Sequence, residues 1–193
     1  MTDHTDHGFA TRAIHAGQDF DPTTGAIIPP VYFTSTSLQE QLAALEGATH
    51  AVSFASGLAA EDALLRAVLR PGDHVLMGND VYGGTHRLVR RIFGDWGIGL
   101  TTMALSDPHA VRTALAELSP RVLWLETPSN PMMTVTDIAQ LAELGHAAGA
   151  LVVVDNTFAT PYLQQPLALG ADVVVHSTTK YLGGHSDVLG GAI

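Results

Sequence analysis

The chain has 193 residues, 46% of them hydrophobic and 15% charged, with a formal net charge of −10. That balance describes a globular chain long enough for one domain with a sizeable core, and its acidity argues against nucleic acid or an anionic membrane as the main partner. With no cysteine, disulfides and thiolate metal sites are excluded and a reducing compartment is the natural setting.

The first 37 residues carry no sustained period. The polar start "MTDHTDHGFATR" has no signal-peptide or transit-peptide character. Gly25, Pro29 and Pro30 in "DPTTGAIIPPVYFTSTS" predict an extended arm, 1–37, that lies on another surface. From Ser37, "SLQEQLAALEG" reads as a helix: Ser37 caps it, Leu38, Leu42 and Leu45 share a face, and Gly47 stops it.

Strands and helices then alternate. "HAVSFA" (50–55) reads as a strand and "GLAAEDALLRAVL" (57–69) as a helix. "HVLMGN" (74–79) is a strand and "GTHRLVRRIFGDW" (84–96) mostly a helix. "IGLTTMAL" (98–105) precedes "DPHAVRTALAEL" (107–118), where Pro108 suits a first helical turn. "RVLWLE" (121–126) precedes the helix "TDIAQLAELGHAAG" (136–149). "ALVVVD" (150–155) and "ADVVVHS" (171–177) are short, continuously apolar and rich in valine, as strands buried on both faces of a parallel sheet are. The alternation predicts an α/β layered fold. No apolar run approaches the roughly 20 residues that span a bilayer, which with the absent leader points to a cytoplasmic setting and a small-molecule ligand.

Ligands of open α/β sheets bind beyond the carboxyl ends of the strands, so the residues there are the candidates. The ends offer Ser56-Gly57-Leu58, then "DVYGGT" with Tyr82, then Glu126 followed by "TPSNP" with Asn130, then Asp155-Asn156-Thr157, and last Ser177-Thr178-Thr179-Lys180. Each has an ordinary structural reading. Ser56 can be a plain helix cap, Tyr82 a loop aromatic, Asn130 a turn residue, Asp155 a partner of a loop amide, and Ser177 and Thr179 turn formers.

Lys180 resists that treatment. It is the only lysine in the chain, whose other formal positive charges are eight arginines. Arginine replaces lysine as a solvated charge but stays protonated and cannot serve as a nucleophilic amine. A lysine kept in such a chain points to a role for a neutral primary amine, and imine chemistry leads the candidates. Pyridoxal phosphate, one route to that chemistry, needs an amine, an acidic partner for its pyridine nitrogen, a phosphate site and an aromatic face. Lys180, Asp155, Ser56-Gly57 with Ser177 and Thr179, and Tyr82 supply one each. A dinucleotide site is the weaker option, since no G-x-G-x-x-G follows the first strand. The ten histidines are scattered, so no metal site is expected.

Eight stretches in order, "TRAIHAG" (11–17), "IPPVYFTST" (28–36), "LAALEGA" (42–48), "FASGLAA" (54–60), "DVYGGT" (80–85), "ETPSNP" (126–131), "VDNTFATPYLQQPLALGAD" (154–172) and "HSTTKYLGGHSD" (176–187), resemble the Cys/Met-metabolism family of pyridoxal-phosphate enzymes. That family includes cystathionine γ-synthase, cystathionine γ-lyase and methionine γ-lyase. The resemblance implies an aspartate-aminotransferase-like (fold type I) large domain over 38–193. It implies an internal imine on Lys180, which would then shuttle protons, and Asp155 on the pyridine nitrogen. Tyr82 would stack on the ring and share in proton transfer. Backbone N–H groups of Gly57 and Leu58, the Ser56 turn, and the hydroxyls of Ser177 and Thr179 would hold the phosphate. Asn130 would contact the phenolic oxygen and Thr157 would lie against the ring. It further implies an amino-acid substrate, α,γ-elimination or γ-replacement on cystathionine or an O-acyl-homoserine, and a tetramer of active dimers. Methionine γ-lyase and O-acylhomoserine sulfhydrylase chemistry are the neighbouring alternatives.

Two departures from the family pattern stand out. Its glycine- and aromatic-containing stretch with Tyr-x-Arg and Asn-Pro-Thr-Arg is missing, with a seam near Ser35 to Leu38. The chain also stops at Ile193, before the family's smaller C-terminal domain. Both imply a polypeptide longer than these 193 residues. A chain complete at that length would instead be an inactive fragment that binds a partner.

Overall fold

The computed structural model describes residues 8, 9 and 36–193, and it divides into two compact units, Met1–Ser53 and Phe54–Ile193. In the first unit the described part is mainly helix α1, Thr36–Glu46, which starts one residue ahead of the expected cap. Gly47 ends it at φ +71, and the Ala48 N–H closes back on the Ala43 carbonyl at 2.8 Å. Gln39 Nε2 donates to Ser53 Oγ at 3.1 Å. The expected arm, 1–37, lies almost wholly outside the described residues, and the expected seam sits at their edge.

The second unit is built on a five-stranded sheet. Its members are β2 (His74–Gly78), β3 (Gly99–Met103), β4 (Val122–Glu126), β5 (Leu151–Asp155) and β6 (Val173–Val175), β1 (Ser53–Phe54) being a separate short strand. The order is β3-β2-β4-β5-β6 and every pairing is parallel. The helices are α2 (Gly57–Val68), α3 (Gly83–Arg87), α4 (Pro108–Leu118), α5 (Ile138–Ala147) and α6 (Thr160–Leu163), and a two-residue strand β7 (Gly191–Ala192) comes last.

Side chains alternate across each strand, so neighbours in the apolar runs part to opposite layers. Val75, Met77, Val122, Trp124, Val153 and Val175 pack with Leu64 and Leu65 of α2. Leu76, Leu123, Leu125, Val152 and Val154 pack with Val111 and Leu115 of α4 and with Ile138 and Leu141 of α5. A sheet covered on both faces needs apolar residues at consecutive positions, which is why these strands show no polar alternation. This is the α/β fold that the alternation predicts.

Three local expectations change. The strand expected at 50–55 shrinks to Ser53–Phe54 and stands outside the five-stranded sheet. The helix expected over 84–96 is α-helical only to Arg87, then π-helical over Leu88–Phe93 and 3-10 over Gly94–Trp96. These windings differ only in whether N–H groups pair with the third, fourth or fifth carbonyl back, and thirteen residues do not separate those periods. The strand expected at 171–177 keeps only Val173–Val175, because Ser177 onward turns away to form the rim of a cleft.

The chain runs from β2 outward to β3 and then crosses back to β4. The β2–β4 boundary is therefore where connections leave in opposite directions, and a crevice opens beyond the carboxyl ends at such a point. Loops after β2, β4, β5 and β6 gather there.

Candidate functional site

A cleft of about 860 Å³ occupies that crevice. All ten residues expected from the sequence line it: Ser56, Gly57, Leu58, Tyr82, Asn130, Asp155, Thr157, Ser177, Thr179 and Lys180. It also contains Glu61 and Glu126, two residues beyond those ten.

One end is built from uncharged donors. Ser56 caps α2, its hydroxyl accepting from the Ala59 N–H at 3.1 Å, while the Ser56 carbonyl takes the Ala60 N–H at 3.0 Å. That leaves the first two helical N–H groups, on Gly57 and Leu58, without a partner among the described residues, as the start of a helix provides. A Cβ on Gly57 would lie 2.8 Å from Ser177 Cβ, so glycine is required for α2 to approach β6 this closely. The Ser177 N–H in turn donates to Thr157 Oγ1 at 2.8 Å. Thr179 is tied locally, its hydroxyl donating to the Gly190 carbonyl at 3.2 Å and accepting the Gly190 N–H at 3.0 Å. To reach a bound phosphate its proton would have to turn away from Gly190.

The other end is acidic. Asp155 closes β5, buried, and stands opposite Glu126 in the β4–β5 register. The Thr157 N–H donates to Asp155 Oδ1 at 2.9 Å, and the Thr157 hydroxyl donates to the same carboxylate. Burial pushes the Asp155 carboxyl up, while the Thr157 bonds and the nearby His176 pull it down. Glu61 reaches the same end from α2, 3% exposed, with Oε1 accepting from Thr85 Oγ1 at 3.0 Å and Oε2 unbonded. Burial and the charge of Asp155 push its carboxyl up to about 8. Glu126 is also raised to about 8 by burial and then Asp155, with backbone N–H bonds from Tyr82 and Asn130 opposing the shift. Buried carboxyls crowded together resist ionisation until a cation arrives to pair with them.

Glu61 was legible after all. Gly57, Ala60, Glu61, Leu64 and Leu65 form the buried face of α2, so an acid interrupts a core stripe, and a charged residue on such a face is seldom there for packing. Glu126 ends a fully buried strand, β4; its place at the strand end is legible in the sequence, but its role is not.

Tyr82, 43% exposed, and Lys180 also line the cleft, with Tyr181 and Phe158, whose rings are 5.8 Å apart. The arrangement can hold a bipolar ligand, anionic where the helix N–H groups and hydroxyls converge and cationic where the carboxyls converge. An amine and an aromatic ring line the same cleft. Among the described residues no group of three or more His, Asp or Glu side chains is placed to hold a metal ion, and no helix is long and apolar enough to cross a membrane.

Comparison with known proteins points the same way. The family described as Cys/Met metabolism PLP-dependent enzyme matches residues 33–193. The chain is 48% identical over 210 residues to a cystathionine gamma-synthase of Mycobacterium leprae, a match covering 96% of this chain and 54% of that protein. A solved structure of metB from Corynebacterium glutamicum gives a TM-score of 0.94 at 43% identity, over 99% of this chain and 56% of that one. A cystathionine gamma lyase (CalE6) from Micromonospora echinospora gives 0.90 at 42%, over 96% and 54%. The chain thus spans about half the length of these relatives. The 210-residue match to the mycobacterial protein exceeds the chain's own 193 residues, so that relative carries positions this chain lacks.

Proposed function

The chain belongs to the Cys/Met metabolism family of PLP-dependent enzymes, and on that premise we propose that it binds pyridoxal phosphate in the cleft and acts on cystathionine or an O-acyl-homoserine, by α,γ-elimination or γ-replacement. The observation that carries the reading is the meeting of the chain's sole lysine with an uncharged donor end and a carboxylate end in one cleft.

The residues present fit the cofactor. Gly57 and Leu58 N–H groups, unpaired at the start of α2 and drawn close to Ser177 by the absent Cβ, suit a phosphate. Asp155, with Glu61 and Glu126 beside it, suits a protonated ring nitrogen. When bound, pyridoxal phosphate supplies an electron sink for a carbanion at the substrate's α-carbon.

The chain's own residues would do the rest. Asp155 would hold the ring-nitrogen proton, since a cation restores the charge that burial disfavours. Tyr82 would stack on the ring, keeping water from it, and Thr157 would lie against the ring. Asn130 would orient the ring through its phenolic oxygen. Lys180 would hold the cofactor covalently at rest and, once displaced by substrate, carry protons at Nζ between substrate carbons. The exposed apolar side chains Met132, Val135, Tyr162 and Leu163 support a homo-oligomer, because surface of that kind favours association.

The test is a product assay with cystathionine and O-succinylhomoserine on purified protein, beside its visible spectrum. We expect a yellow protein that turns over at least one of them, and a Lys180→Ala variant that loses both colour and turnover while keeping its fold. A Lys180→Ala variant that retains both would overturn the assignment.

A further inference from the structure

We propose that Glu126 is a positioning residue of the cleft: its carboxylate ties the backbone N–H groups of Tyr82 and Asn130 to the end of β4, and so sets the two residues that flank the cofactor ring. The inference rests on the reading of the cleft as a pyridoxal-phosphate site, and adds to it a role for Glu126 that acts through Tyr82 and Asn130.

The geometry is specific. The Tyr82 N–H donates to Glu126 Oε2 at 2.6 Å across 44 positions of sequence, and the Asn130 N–H faces the same carboxyl closely enough to oppose its upward shift. Tyr82 immediately precedes α3 and has no side-chain cap of its own, so its backbone is held from outside the helix. Its ring folds back over Gly84, where a Cβ would lie 2.3 Å from Tyr82 Cε1. The ring takes the space that the absent Gly84 Cβ leaves, and Glu126 holds the amide. Thr85, one turn on, is fastened to Glu61 at 3.0 Å, so two acids from two different elements grip the segment 82–85.

The loops after β2 and β4 are joined a second time without Glu126. Asp80 accepts from the Ser129 hydroxyl, and from Thr134 Oγ1 at 3.3 Å. The Thr134 N–H donates to Ser129 Oγ at 2.9 Å. Removing the Glu126 carboxylate therefore releases two amides at the cleft and leaves the loops linked. That separates a positioning role from a purely structural one. A hydrogen bond that orients a ligand-facing residue contributes to affinity, and its loss shows there.

The experiment compares parent, Glu126→Ala and Glu126→Gln proteins by amide hydrogen exchange at Tyr82 and Asn130 and by pyridoxal phosphate titration followed in the visible. In Glu126→Ala both amides should exchange at least about tenfold faster, and the cofactor dissociation constant should rise about two- to tenfold, the range for losing an ordinary hydrogen bond. Glu126→Gln keeps an acceptor oxygen at the same place, so it should fall between the two. It also serves if the alanine variant does not fold. Unchanged exchange, or released amides with unchanged affinity, overturns the inference while the cofactor site stands. A parent protein that takes up no pyridoxal phosphate overturns the reading beneath it, whatever the amides do.

Discussion

The two ends of the cleft are made of different material. At one, the groups come from backbone and hydroxyls: Gly57 and Leu58 N–H, Ser177 and Thr179. Their charge is only partial, is fixed by the start of α2, and carries no burial penalty that depends on pH. At the other, Glu61, Glu126 and Asp155 crowd into a buried space, and burial pushes all three carboxyls up. The donor end is preorganised at little electrostatic cost, whereas the acid end is strained until a positive group arrives. A ligand with a phosphate and a protonated ring nitrogen satisfies both.

The largest effect expected from breaking this contrast is at Asp155. Asp155→Asn should weaken pyridoxal phosphate binding by more than about a hundredfold, the scale of removing one partner from a buried charge pair, and leave the weak binding of inorganic phosphate unaltered. Titrations of both ligands decide it, and equal losses for both would mean that the two ends are not separate.

Next comes the pH dependence of the cofactor-free chain. The Glu61 carboxyl is raised from 4.5 to about 8, so the folded chain holds its proton more tightly than the unfolded chain does. The associated stability is complete below pH 4.5 and drains away as pH climbs to about 8. One pKa unit is worth about 1.4 kcal/mol, which makes this a contribution of a few kcal/mol. Glu61→Gln should therefore melt higher than the parent at pH 9, by about 2–4 °C per kcal/mol relieved, and match it near pH 5. A gap in melting temperature that is the same at both pH values would remove the acid strain from the account.

A smaller effect is expected at the donor end. Gly57→Ala pushes a methyl to 2.8 Å from Ser177 Cβ and 3.0 Å from its Cα, and overpacking of that kind costs about 1–3 kcal/mol. Denaturant melts should show the loss, and phosphate and pyridoxal phosphate affinities should fall together, the reverse of the pattern at Asp155.

The ends also differ in how far the sequence discloses them. The donor end is local: serine, glycine and a helix start within a few residues, a hydroxyl-rich turn after a valine run, and each is legible from its own neighbourhood. The acid end is assembled across the fold, from α2, β4 and β5. Asp155 was found because it ends an apolar run, but Glu61 lay inside a helix, where its meaning depends on which face is buried. The grip of Glu126 on Tyr82 joins positions 44 apart, and no periodicity reports such a bond.

By itself the sequence determined the α/β class, the alternation that makes the sheet parallel and the strand ends that carry chemistry. It also singled out a lone lysine whose chemistry arginine cannot replace. These are properties of residue type and spacing, set by side-chain periodicity and by the reactivity of an amine. Only the tertiary structure decided the strand order that opens the crevice between β2 and β4. It also placed Asp155 beside two further acids and set how closely α2 meets Ser177. Those depend on which elements become neighbours, and burial, charge crowding and steric approach exist only once they have.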